Sequence, residues 1–289
     1  MKHIRPFFYE EPSSVPEASS MLAAQGALAL AGGTDITVML RRKPMDDVVL
    51  VNLKKIPGLS EIQKLEDGSL RLGALVTVGH MGRVLTAPEY EALRIACNSL
   101  GTPAVRNLAT LGGNIGRASP ASDVIPALLS LAAIVIIESA QEVRRVPLEQ
   151  LLQGPGRLDI RPGEFVTAVE LPPHERGVGS YWKAGRIRGA DCALAGVGVS
   201  FCWDGDTIVD PRVAMTSVGP TCLRSAGAER VLRGARLDEE VMRAAADAAA
   251  GDARPITDLR ASAAYRKELV RGLLMKNLRS LAAQERRSC

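Results

Sequence analysis

The sequence predicts an α+β fold built twice over, a larger N-terminal domain over residues 1–175 and a smaller C-terminal domain over 176–289. Three observations predict it. Stretches with helical spacing and short β-rich runs are interleaved along the whole chain. A length of 289 residues exceeds what one compact core ordinarily holds. A proline-, glycine- and charge-rich break, Pro172-Pro173-His174-Glu175-Arg176-Gly177, follows a β-rich run at 165–171.

The elements follow in order. Residues 15–25 read as a helix, with Ser13 or Ser14 as its cap and Gly26 as its end. A short buried strand at 27–31 feeds Gly32-Gly33, and a helix at 36–42 stops before Pro44. Residues 48–53 are β-rich, and 62–65 with 70–78 form a hairpin around the Asp67-Gly68 turn. A helix at 88–100 ends at Gly101; after a second double glycine come a helix from 123 to 132 and a strand at 134–138. Beyond the break, 192–203 and 207–218 read as antiparallel strands joined across Asp204-Gly205-Asp206, the first with small residues suited to tight packing under helices. Helices at 225–232, 238–250 and 265–282 complete the chain, the last with residues 269, 270, 273, 274, 278 and 281 on one face.

Composition removes several function classes. An apolar fraction of 46% and a charged fraction of 24% are those of an ordinary globular protein. Aromatics at 3% are too sparse for base stacking along a nucleic-acid strand. The net charge of +4 is dispersed, and Arg41-Arg42-Lys43 and Arg286-Arg287 read as solvated helix ends, so no nucleic-acid partner is expected. The apolar run at 127–137 is too short to span a bilayer, and the N-terminus has no secretory signal pattern. Five scattered cysteines (97, 192, 202, 222 and 289), mostly expected as small core residues, have no C-x-x-C pair. This predicts reduced thiols in the cytoplasm and no metal or iron–sulfur site in this chain. His3, His80 and His174 lie in no metal spacing and beside no nucleophile motif, and read as surface or core residues. Neither GxGxxG nor GxxxxGK[ST] occurs.

Two motifs carry the chemistry. Ala31-Gly32-Gly33-Thr34-Asp35 and Thr110-Leu111-Gly112-Gly113-Asn114-Ile115 each read as a glycine turn that exposes consecutive backbone N–H groups. Brought together, they are expected to hold the two halves of a pyrophosphate. Thr34 adds a hydroxyl donor, whereas Asp35 would repel a phosphate and is assigned to cap the helix it begins. Thr110 and Asn114 flank the second pair, and Ser119-Pro120-Ala121-Ser122-Asp123 adds a hydroxyl and a carboxylate suited to sugar or ribityl hydroxyls. The plainer alternatives are a turn needing positive φ at Gly32-Gly33 and a helix cap at Ser122 or Asp123. A phosphorylated ligand without hydrolytic machinery points to a redox cofactor that carries its own reactivity.

These motifs, the second taken with Arg106-Asn107-Leu108-Ala109, resemble the FAD-binding (medium) subunit of the molybdenum hydroxylases, the family of xanthine dehydrogenase and aerobic carbon monoxide dehydrogenase. The tail Ile256-Thr257-Asp258-Leu259-Arg260-Ala261-Ser262-Ala263-Ala264-Tyr265-Arg266 resembles that family's C-terminal domain, so the likeness spans nearly the whole chain. It implies a vanillyl-alcohol-oxidase-type (PCMH-type) FAD-binding domain of two α+β subdomains, followed by a smaller α+β domain of antiparallel strands and helices. It implies non-covalent FAD, its pyrophosphate carried by Leu30, Ala31, Gly32, Gly33, Thr34, Asp35 and Ile36 and by Thr110, Gly112, Gly113 and Asn114. Ser122 and Asp123 would hold FAD hydroxyls, and Phe165 belongs to the same cofactor-binding set. Lys183, in Tyr181-Trp182-Lys183-Ala184, matches a lysine near the flavin ring; its plain alternative is a solvated lysine closing a strand. The loop 185–191 would lie on the isoalloxazine side, with Arg186, Arg188 and Asp191 as ionic partners.

The resemblance further implies an oxidoreductase subunit without catalytic side chains or metal ligands of its own. Electrons would come from a molybdenum cofactor in a large subunit through [2Fe-2S] clusters in a small subunit, reach FAD here and leave to an external acceptor. A dimer of heterotrimers is the implied assembly. The hydroxybenzoyl-CoA reductase branch is disfavoured, because the cysteine-bearing insertion of its flavin subunit is absent. A free-standing FAD-dependent oxidase of the same fold is the alternative, and sparse histidines argue against it. A flavin-free partner protein, with purely structural glycine turns, is a third reading.

Overall fold

The computed structural model describes residues 4–174, 176–187 and 189–288, with side chains up to residue 283. His3, Glu175, Arg188, Cys289 and the side chains of Arg286 and Arg287 lie outside the described residues.

The first unit is a parallel three-stranded sheet. It contains β1 (Phe8–Glu10), α1 (Val15–Leu22), β2 (Ala27–Leu30), α2 (Ile36–Arg42) and β3 (Val49–Asn52), with strand order β1-β3-β2. Both serines serve the start of α1. Ser14 Oγ accepts from Glu17 N at 3.4 Å, and Ser13 N donates to Glu17 Oε2 at 2.7 Å. The helix ends three residues earlier than expected.

The second unit is a five-stranded antiparallel sheet in the order β4-β5-β10-β6-β7. Its elements are β4 (Ile62–Lys64), β5 (Leu70–Gly73), α3 (Val78–Val84), α4 (Glu91–Ser99), α5 (Pro103–Leu108), α6 (Leu111–Arg117) and α7 (Val124–Ser130). After them come β6 (Ile134–Glu138), β7 (Val143–Pro147), α8 (Leu148–Leu151), the small pair β8 (Leu152–Gly154) and β9 (Arg157–Leu158), and β10 (Phe165–Leu171). The strand expected over 70–78 stops at Gly73. Its apolar continuation turns inward instead, with Leu75 N donating to Leu59 O and Val76 N to Gly73 O, before Thr77 caps α3. The helix expected over 88–100 begins as a 3-10 turn at Pro88–Tyr90. Leu72, Met81, Leu93, Leu111, Ile125 and Val169 form the centre of this core.

The third unit holds β11 (Gly177–Ala184), β12 (Ala195–Asp204), β13 (Thr207–Thr216), β14 (Leu223–Arg224), α9 (Ala226–Leu232), α10 (Glu239–Asp252) and α11 (Ala263–Ser288). The strands form an antiparallel sheet in chain order, and β12 turns into β13 across Gly205 at φ +58. Ser225 and Asp238 cap α9 and α10. The small residues of β12 are explained by helix contact: a Cβ on Gly198 would lie 3.2 Å from Pro126 O, so α7 of the second unit packs directly on this strand. On α11, Val270, Leu273, Leu274, Leu278 and Leu281 are buried in the core, the face the spacing predicts.

The expected α+β architecture is present. No helix among the described residues is long and apolar enough to cross a membrane. Cys97 and Cys222 are buried, Cys202 is half-buried and Cys192 is exposed, so the core assignment holds for two of these four. His174 is tied by Nε2 to Ser200 Oγ at 2.7 Å, and His80 is exposed.

Candidate functional site

The first glycine motif forms a turn between β2 and α2. Gly33 sits at φ +74, and the amides of Gly32, Gly33, Thr34 and Asp35 donate to no acceptor among the described residues. A Cβ on Gly33 would meet only Leu30 Cδ1, at 3.7 Å, so the side-chain direction at Gly33 is open. Gly32 serves a different purpose. A Cβ there would stand 1.9 Å from Leu108 O, so the turn is pressed against the chain that enters the second motif. Leu30 and Ile36 pack on the cluster of Leu40, Val48 and Leu50, and Ala31 packs on the cluster containing Val51 and Phe165. These contacts fix the turn from behind.

The second motif is not a turn. Gly112 and Gly113 lie in the first turn of α6 at negative φ, and Thr110 is its cap, with Oγ1 accepting from Gly113 N at 3.1 Å. Leu111 N donates to Val76 O at 2.9 Å, Gly112 N to Ala74 O at 2.7 Å and Asn114 N to Thr110 O at 3.0 Å. The expected row of exposed amides is therefore absent here. The glycines permit close approach instead: a Cβ on Gly112 would lie 2.7 Å from Ala74 Cβ. One on Gly113 would stand 3.9 Å from Ala31 Cβ, so the two motifs do meet.

Asp35 does not cap α2. Its side chain makes no capping bond, and Oδ1 faces Arg117 Nε at 3.4 Å instead, because its backbone is already helical and turns the carboxylate outward. Ser122 is the residue that caps α7. Its Oγ accepts from Ile125 N at 3.2 Å and donates to Asn114 Oδ1 at 2.5 Å. Asp123 makes no cap and looks across to the third unit: Oδ1 accepts from Tyr181 OH at 2.8 Å and Oδ2 from Lys183 Nζ at 2.8 Å. Lys183 Nζ also donates to Ser99 O at 2.6 Å and Asp191 O at 3.3 Å, so it is not a solvated lysine. Burial pushes the Asp123 carboxyl above its ordinary range while Lys183 and Tyr181 oppose that shift; burial, with Asp123 beside it, pushes the Tyr181 phenol up.

Phe165 is buried in the cluster of Val51, Leu53 and Leu75 on which Ala31 packs. In the loop after β11, Arg186 donates from its backbone N to Asp191 Oδ2 at 2.7 Å and from NH2 to Oδ1 at 2.9 Å. These bonds hold the Asp191 carboxyl well below the usual carboxylate range. Lys183, Arg186, Ile187 and Asp191 help line an open cavity of about 520 Å³.

Tyr181 and Arg117 are the site residues that sequence reasoning missed. Tyr181 stands two positions before Lys183 on one face of β11, and Arg117 stands four positions after Gly113 on one face of α6; both spacings were readable.

Comparisons with known proteins converge on one family. Residues 3–174 match the family described as FAD binding domain in molybdopterin dehydrogenase, and residues 180–281 match that described as CO dehydrogenase flavoprotein C-terminal domain. The carbon monoxide dehydrogenase medium chain of Hydrogenophaga pseudoflava is 28% identical over 284 residues, 96% of this chain and 98% of that one. The xanthine dehydrogenase FAD-binding subunit of Escherichia coli O157:H7 is 29% identical over 272 residues, 93% of each. The solved carbon monoxide dehydrogenase from H. pseudoflava that lacks the Mo-pyranopterin moiety of its molybdenum cofactor superposes with a TM-score of 0.91 at 28% identity, over 96% of this chain and 98% of that chain. Quinoline 2-oxidoreductase from Pseudomonas putida 86 superposes with a TM-score of 0.90 at 25% identity, over 98% and 99%.

Proposed function

This chain belongs to the family of FAD-binding domains in molybdopterin dehydrogenases, and we propose that it is the electron-transfer subunit of a molybdenum hydroxylase. It is an oxidoreductase subunit, and its cofactor is FAD. FAD would supply the redox chemistry when bound, and the proposed route brings electrons to it from iron–sulfur clusters of a partner subunit and on to an external acceptor.

One observation carries the reading: four consecutive amides, Gly32 to Asp35, have no acceptor among the described residues, in a turn where Gly33 sits at φ +74 with room for a side chain beside it. Such a row of donors fits a pyrophosphate, and a side chain on Gly33 would fill the space it needs. Residues 30–36 are the proposed phosphate cradle. Gly113 and Asn114 border it as close-approach surface, since the amides of Gly112, Gly113 and Asn114 are spent inside the protein. Thr110 acts through α6 by capping it. Ser122 fixes Asn114, and Asp123 holds Lys183, so both are proposed to shape the hydroxyl-binding side of the pocket. Phe165 is proposed to support the turn from behind rather than to touch FAD.

Lys183 keeps a cation in one position through Asp123, Ser99 O and Asp191 O, on the side proposed for the flavin ring. The Arg186–Asp191 pair orders the adjoining loop. We divide the chain into a FAD-binding domain over 1–175 and a C-terminal domain over 176–289 that covers the flavin and contacts partners. The proposed partners are a molybdenum-cofactor large subunit and a [2Fe-2S] small subunit, in a dimer of heterotrimers in the cytoplasm.

Purification of the complex by a tag on this chain, with metal and flavin assays on the separated subunits, tests the proposal. The expected result is FAD with this chain and molybdenum and iron with two others. A flavin-loaded chain that elutes alone and oxidises an organic substrate itself would replace this reading with the free-standing oxidase.

A further inference from the structure

The proposed phosphate cradle has a charge problem. FAD's pyrophosphate is doubly anionic at neutral pH, yet neither residues 30–36 nor 110–114 contain a lysine or arginine. The cradle carries one charged side chain, Asp35, and that charge has the wrong sign. Amide dipoles alone would face both the ligand's charge and the carboxylate's.

Arg117 is the cation that the fold brings to this spot. It closes α6 four residues after Gly113, on the face that meets Ala31, and its Nε lies 3.4 Å from Asp35 Oδ1. The pair is open to solvent, the side chains being 53% and 64% exposed, so it contributes little to stability. The Arg117 side chain makes no hydrogen bond among the described residues, which leaves the guanidinium's terminal nitrogens free to donate. Gly156, in the turn between β8 and β9, stands behind it: a Cβ there would be 3.7 Å from Arg117 NH1. The guanidinium is thus flanked by the cradle on one side and the β8–β9 turn on the other.

We propose that Arg117 is the counter-cation of the FAD pyrophosphate, held at the mouth of the cradle by Asp35. The inference rests on the reading of residues 30–36 as the phosphate site. Asp35 then has a function that neither capping nor ligand contact supplies: it offsets the arginine's charge in the empty protein and keeps the fork near the amides. A planar guanidinium donates two parallel bonds to phosphate oxygens, a geometry an ammonium does not reproduce.

The test titrates FAD into the flavin-stripped full chain at low and high salt, following the quenching of flavin fluorescence. Arg117→Gln should weaken FAD about tenfold or more. It should also flatten the salt dependence of the affinity, because the screened charge pair is gone. Arg117→Lys should fall between wild type and Arg117→Gln. An R117Q variant with wild-type affinity overturns the proposal. So does one that binds weakly but keeps the wild-type salt slope, since that marks a structural loss rather than a lost charge. Failure of the wild-type chain to take up FAD would instead remove the phosphate site itself, and Arg117's role with it.

Discussion

Asp123 and Tyr181 are 58 positions apart in the chain and joined by a buried 2.8 Å hydrogen bond from the phenol to Oδ1. With Lys183 on the other carboxylate oxygen, this bond links the start of α7 to β11, and so the second unit to the third. A buried carboxylate persists only when its oxygens are paired, and here each oxygen has a donor.

Loss of either donor should therefore be costly. Tyr181→Phe leaves Oδ1 without its partner and should lower unfolding free energy by about 1–3 kcal/mol. Lys183→Met leaves a buried charge without its counter-ion and should cost more, about 3–5 kcal/mol. Urea unfolding at neutral pH reads both. Wild-type midpoints in the two variants would show that the cluster does not tie the units together.

The glycines of the first motif should fail in distinguishable ways. Gly33→Val places a branched side chain at φ +74, at a strain of about 1–3 kcal/mol, and fills the open space; the variant should purify folded and without flavin. Gly32→Ala puts a methyl 1.9 Å from Leu108 O, so it should push the two motifs apart and lower the melting temperature as well. Bound-flavin absorbance and thermal melts separate the two effects. A flavin-loaded Gly33→Val protein would remove the cradle.

Acid should release the loop after β11. The Arg186 side-chain and backbone bonds hold the Asp191 carboxyl well below its ordinary 3.8, so folding is favoured by its ionised form. That contribution is present above pH 3.8 and is lost as the pH falls below it. Asp191→Asn should be less stable than wild type at neutral pH, and the gap should narrow as the pH drops below 3.8. Parallel stability curves for the two proteins down to acid would contradict the assignment.

Much of the fold was legible because local rules agreed with tertiary packing. β6 and β10 begin and end where the apolar β-rich runs do, and the apolar face of α11 is the one its spacing predicts. The failures share a cause. At 74–76 an apolar run satisfies its amides outside the sheet, so strand-like composition continues where strand pairing stops. Gly112-Gly113 has the composition of a turn, but Thr110 three positions before Gly113 makes it a capped helix start packed on Ala74. Asp35 looked like a cap and became an ion-pair partner, since a carboxylate's choice between a backbone amide and a distant arginine depends on tertiary placement. The Asp123–Lys183 pair likewise joins residues 60 positions apart, with no local pattern to announce it.

The visible absorption spectrum of the purified full chain, before and after acid precipitation, tests FAD binding most directly. An oxidised-flavin spectrum that moves entirely to the supernatant is expected, with FAD as the released species. A colourless protein that also fails to take up added FAD would contradict it, and would leave the unpaired amides of Gly32 to Asp35 without a ligand.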